Sequence, residues 1–129
     1  LGEEDMTRRI IKAMENRYVS MLGHSTGRIL LAREGYALNM PAVLAAAVQT
    51  GTVIEINASP YRLDLDWRWC RTAKEMGVLL AINPDAHAVA ELAYVTYGIT
   101  AARKGWLAAA DVVNTRPLAE ALAILRRKR

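Results

Sequence analysis

Val78 to His87 reads VLLAINPDAH. The apolar run VLLAI has the length and branching of a buried strand. It breaks at Asn83-Pro84, and Asp85 and His87 follow at once. Alternate residues of an extended segment point the same way, so an acid and an imidazole can face one spot just past the strand. Such a pair suits a metal site or acid/base chemistry.

The segments before this stretch repeat its form. Asp66 predicts a helix cap for Trp67 to Met76, with Leu65, Trp69, Ala73 and Met76 as inner stripe and Gly77 as stop. Before it, TVIEIN (Thr52 to Asn57) is β-branched and ends in a turn at Ala58-Ser59-Pro60. Asn39 and Pro41 predict the start of a helix, PAVLAAAVQT, that runs to Gly51. YVSML at residues 18 to 22 reads as a short strand, leaving through the loop Gly23 to Arg28. Ile29 to Arg33 reads as a helical turn. Residues 3 to 16 predict a first helix with Met6, Ile10, Ala13 and Met14 on its inner face.

Beyond His87 the chain turns helical. Helices are predicted at Glu91 to Tyr94, Tyr97 to Lys104 and Leu107 to Asn114. A last one starts at Pro117, with Leu118, Ala121, Leu122 and Leu125 at helical spacing. The order is α-β-α-β-α-β-α. Strand starts near residues 18, 52 and 78, one βα unit apart, imply an α/β fold with parallel strands.

The 129 residues are one domain by length, and 53% apolar with 23% charged residues describes a folded globular chain. Apolar runs are short, Pro41 to Val48 being among the longest, so a membrane span is excluded. The chain begins at Leu1 with no signal-peptide pattern, and a piece of something longer is the expectation. A single cysteine, Cys70, forbids an internal disulfide and makes the cytoplasm the expected compartment. A net charge of +4, part of it in Arg126 to Arg129, permits an anionic partner.

The polar residues gather at one place. His24 follows the first strand, Asn57 and Ser59 the second, Asp85 and His87 the third. In parallel α/β proteins that carboxyl edge carries the site. The two histidines are the only ones in the chain, and both fall there. Each residue also has a plainer reading. His24 can be a hydrogen-bonded structural residue, Asp85 a helix cap, His87 a surface residue, and Asn57 a partner for loop backbone. Arg28, Asn57 and Arg62 are candidates to hold a phosphate, although solvated arginines are commoner. Cys70 reads as a small core residue, and Trp67, Trp69 and Trp106 as packing. Two imidazoles and a carboxylate suit a divalent transition metal such as Zn, Mn or Fe. On this reading His24, Asp85 and His87 can close on one ion.

The stretches LGHSTGRILLAREGY, TVIEINASPYRLDL, AINPDAH, YGITAARKGWL and DVVNTRPL resemble, in this order, the carboxyl-terminal PHP (polymerase and histidinol phosphatase) domain of bacterial family X DNA polymerases. The similarity covers nearly all of residues 3 to 126. His24-x-Thr26-Gly27-Arg28 and Asn57 to Leu65 mark the polymerase branch; Asp85-Ala86-His87 marks the wider superfamily. The resemblance implies the C-terminal half of a distorted (β/α)7 barrel with a trinuclear metal cluster at the strand ends. It makes His24 a match to the third family motif, and Asp85 and His87 to the fourth, serving separate ions. The implied activity is metal-dependent phosphoester hydrolysis, as 3′-5′ exonuclease trimming of DNA ends in repair, with manganese or zinc.

The departures bear on what the chain does alone. The first motif, a His-x-His, and the second are absent, as is a polymerase domain. A whole barrel of this type takes about 250 residues. Ser25 stands where the family often has Pro, and Pro84 where it often has Thr. The expectation is half of a site that binds metal weakly and is little active without the N-terminal half of the barrel. The alternatives are a non-catalytic DNA-binding or scaffolding module, or a small histidinol-phosphatase-like phosphatase. Three parallel strands also leave two open edges. Edge pairing into a homo-oligomer, or cover by the C-terminal helices, is expected.

Overall fold

The computed structural model describes residues 1–129. Three parallel strands, β1 (Met21–Leu22), β2 (Val53–Asn57) and β3 (Leu80–Asn83), lie side by side in that order. Met21 pairs with Val53, and Asn57 with Asn83 at the far end. The helix α1 (Glu3–Met14) precedes the sheet. The connections are α2 (Met40–Thr50) and α3 (Trp67–Met76). After the sheet come α4 (Val95–Lys104) and α5 (Leu118–Arg126). The fold is α/β with parallel βα units.

Local chemistry sets the ends of these helices. The Asn39 side chain accepts from Ala42 N at 3.1 Å, and Asp66 accepts from Arg68 N at 2.9 Å. Each satisfies a backbone donor that the first turn leaves open. Gly51 and Gly77 close α2 and α3 at φ 71° and 88°, where a side chain would be strained.

The strands alternate, so the sheet has two unlike faces. Leu22, Ile54, Ile56, Leu80 and Ile82 turn toward the helices and join Met14, Leu44, Leu65 and Cys70 in the main core. Full burial of each large apolar side chain contributes roughly 1.5–3 kcal/mol. Here α4 lies so close that a Cβ on Gly98 would sit 2.5 Å from Ile82 Cγ2. The opposite face carries Met21, Val53, Leu79 and Ala81, covered by Val113 and by Ala121, Ile124 and Leu125. Further along the strands the same face turns polar, with Glu55 and Asn83 bonded to each other at 2.9 Å. That polar end leads to the candidate site.

The outer edge of β3 is covered. Leu80 bridges to Val112, and the Asn114 amide both donates to Ile82 O and accepts from Ile82 N, each at 2.8 Å. One side chain thus stands in for a strand residue. Cover of the edges by C-terminal helices is the expectation; the cover is found here at β3, and it comes from a bridge and one side chain.

Several expected boundaries shift. The first strand shrinks to Met21–Leu22. Ile29 to Arg33 is a tight turn closed by an antiparallel bridge, not a helical turn. The segments at Val89–Tyr94, Ala109–Asp111 and Val113–Thr115 are 3-10 turns. Ala13 and Leu118 face solvent instead of the core, and Thr7 takes a buried place on α1. Trp106 is 67% exposed and Trp67 38%; both pack at the surface, under Arg71 at 4.8 Å and Lys104 at 4.7 Å respectively.

Candidate functional site

His24 begins where β1 ends. Its backbone lies in the left-handed region at φ 49°, and the loop it opens is held by carboxylates from two other segments. Glu55 on β2 accepts from His24 N at 2.9 Å with one oxygen, and from Asn83 Nδ2 with the other. Gly23 leaves room for this: a Cβ there would stand 3.2 Å from Glu55 Oε2. Asp64, fully buried, accepts from Thr26 N and Gly27 N at 3.0 and 3.1 Å through Oδ2. Its Oδ1 has no partner, and neither has the buried Ser25 hydroxyl.

Asp85 follows β3 and also adopts a left-handed conformation, φ 55°. Strained backbone at two candidate ligands is what a functional edge tends to store. The segment is therefore not the extended strand that simple alternation assumes, and Asp85 caps no helix. Its carboxylate accepts from Asn57 Nδ2 at 3.2 Å. It lies 3.9 Å from His24 Nε2 and 3.7 Å from Arg62 Nε. Two metal bonds of about 2.1 Å can span roughly 4.2 Å, so His24 and Asp85 are within reach of one shared ion.

His87 is well exposed, as its plain reading had it, but its ring is set. Nδ1 lies 2.8 Å from the Asp85 carbonyl oxygen. Donating Nδ1–H to that carbonyl leaves the Nε2 lone pair free, the tautomer and orientation typical of a ligating imidazole. Glu91 accepts from His87 N at 2.6 Å and fixes the turn. The donors thus fit a borderline divalent ion by type. They are incomplete by number: no three His, Cys, Asp or Glu side chains of this chain converge on one point.

The phosphate candidates divide. Arg62 faces Asp85 and donates to Arg28 O at 3.3 Å. Arg28 is committed elsewhere, to Asp66 at 2.8 Å and to the carbonyls of Arg62 and Leu63. Asp66 also accepts from Arg68, and that bond, reinforced by Arg28, holds its carboxyl well below the usual range. Asn57 serves both readings, accepting from Ser59 N at 3.1 Å while its amide faces Asp85 and, at 3.4 Å, His24 Nδ1. Cys70 is fully buried, and burial pushes its thiol up to about 12. It is a core residue, as read.

Beside Asp85 and His87 opens a hollow of about 230 Å³, walled by Ser59, Arg62, Tyr61 and Tyr94. A larger one, about 600 Å³, lies along the Arg28 to Gly35 turn and holds none of the ligand candidates. Sequence reasoning overlooked Glu55 and Asp64. A lone charge inside TVIEIN was the available signal for the first, and the second sits inside the Asn57 to Leu65 motif.

No family model matches the chain. Aligned over 125 residues, 97% of its length, it is 39% identical to the DNA polymerase/3′-5′ exonuclease PolX of Bacillus subtilis, of which it spans 22%. It is 36% identical over 90 residues to a probable phosphatase of Thermoanaerobacter sp. and to one of Caldanaerobacter subterraneus, covering 34% and 33% of them. The chain therefore spans between about a fifth and a third of the curated relatives it matches. Its motifs and its match along nearly the whole length agree: the chain is a relative of one segment of the bacterial family X DNA polymerases.

Proposed function

We propose that this chain is the C-terminal part of a PHP-type, metal-dependent phosphoesterase that trims DNA 3′ ends. One observation carries the reading. At the carboxyl ends of parallel strands, His87 is locked by the Asp85 carbonyl with Nε2 free, while the Asp85 carboxylate faces His24. His24, Asp85 and His87 would hold divalent metal, manganese or zinc. When bound, such metal supplies Lewis-acid polarisation of a phosphoryl oxygen.

The chain's own residues do the rest. Arg62 brings a fixed positive charge beside Asp85, suited to a phosphate oxygen. Asn57 orients the Asp85 carboxylate, and Glu55 and Asp64 hold the His24 loop. The polar end of the second face of the sheet suits the inner wall of a half-barrel, whereas α5 packs on the apolar end of that face, where a closed barrel carries strand side chains. With three donors and no closed set, the chain alone binds metal weakly and turns over slowly.

The test is release of label from a 3′-labelled single-stranded oligonucleotide in Mn²⁺. Slow, metal-dependent release that disappears in Asp85→Asn is expected. Release that persists in Asp85→Asn contradicts the site. No release, with salt-dependent DNA binding retained, favours the non-catalytic module instead. The phosphatase relatives favour a second reading, a small phosphomonoester substrate. Faster turnover of p-nitrophenyl phosphate than of the oligonucleotide would select it.

A further inference from the structure

The hollow beside Asp85 and His87 is lined by both polar and aromatic side chains. Arg62 and Ser59 stand with the two ligand candidates. Tyr61 and Tyr94 line it too, and the Tyr97 ring packs tilted against that of Tyr94, with centroids 5.9 Å apart and planes at 48°. Tyr61 is 65% exposed, so its ring is not consumed by packing. A volume of about 230 Å³ is too small for a run of bases and large enough for one.

Charge sets the direction in which a ligand lies. Arg62 is the cation in the hollow, and Asp85, 3.7 Å from Arg62 Nε, and Glu91 are carboxylates on its wall. A phosphate takes the place of Asp85 as partner of the Arg62 guanidinium and is repelled from Glu91. The rest of the ligand then extends along the tyrosines. A base stacks on such aromatic faces, worth roughly 1–3 kcal/mol.

We propose that this hollow is a terminal-nucleotide subsite, in which Arg62 takes the phosphate and Tyr61 with Tyr94 takes the base. The proposal rests on the phosphoesterase reading and adds what selects the substrate. It makes the tyrosines specificity residues that touch the base, not the phosphate.

The probes are thymidine 5′-monophosphate and 2-deoxyribose 5-phosphate, titrated calorimetrically into this chain. They share the sugar and phosphate and differ in the base. Stacking of one base predicts that the nucleotide binds at least about fivefold more tightly. Tyr94→Ala and Tyr61→Ala should each erode that preference, Tyr94→Phe should keep it, and Arg62→Ala should weaken both probes alike. Equal affinity for the two probes overturns the subsite, as does a preference that survives both alanine variants. Hydrolysis is read separately. A tyrosine-dependent preference in a chain that hydrolyses nothing supports the subsite and sinks the phosphoesterase reading. Metal-dependent hydrolysis with no preference sinks the subsite alone.

Discussion

Glu55 and Asp64 both hold the His24 loop, yet the same chemical change should affect them unequally. Glu55 divides its bonds: Oε2 accepts from His24 N and Oε1 from Asn83 Nδ2, each at 2.9 Å. In Glu55→Gln one of those oxygens becomes an amide nitrogen facing a donor. Asn83 can turn its own amide, but its oxygen would then face Met21 Sδ, toward which Nδ2 now donates at 3.3 Å. A lost bond to a charged acceptor is worth about 1.5–3 kcal/mol, so a destabilisation of about 2–3 kcal/mol is expected. Asp64 instead takes both donors on Oδ2 and leaves Oδ1 unpartnered. In Asp64→Asn the amide oxygen can take the place of Oδ2, and the loss should be about 1 kcal/mol. Urea unfolding at neutral pH, followed by far-ultraviolet circular dichroism, reads both. Equal losses, or a larger loss for Asp64→Asn, would refute the hydrogen-bond assignment.

Other consequences follow from single contacts. Asn114→Ala leaves the Ile82 N–H and C=O open at the sheet edge and should cost about 1–3 kcal/mol, read by the same unfolding curves. Cys70, with its thiol raised to about 12 by burial, should resist a thiol reagent at pH 8 in the folded chain and react at once in urea. The Asp66 carboxyl is held low chiefly by its Arg68 bond, so its contribution is fully present above about pH 4 and is lost as pH falls toward its folded value. Wild type should therefore lose about 1 kcal/mol more than Asp66→Asn on acidification below pH 4, after allowance for solvent screening.

Short-range signals were legible in the sequence. Asn39, Asp66, Gly51 and Gly77 act on their own helices, and each caps or ends one as read. The strand-end placement of His24, Asp85 and His87 was also legible, because parallel βα units put loops on one edge. The ends of the chain were harder. Tyr18 to Ser20 have strand-like residues, but Val19 N turns back to Asn16 O and the Ser20 hydroxyl donates to Leu125 O. Thr115 bonds the carbonyls of Ala109 and Val112, which breaks a regular helix into 3-10 turns. The roles of Glu55 and Asp64 depend on partners far along the chain, which no local window contains. The left-handed backbone of His24 and Asp85 is likewise imposed by its surroundings and leaves no mark in composition.

The central claim is that His24, Asp85 and His87 form a partial metal site. Addition of Mn²⁺ to the isotope-labelled chain, with the imidazole signals of its only two histidines followed by NMR, tests it most directly. The account predicts that both signals broaden before the bulk of the spectrum, that the ion is lost on desalting, and that Asp85→Asn removes the effect. Broadening that ignores Asp85→Asn, or none at either histidine, would contradict it.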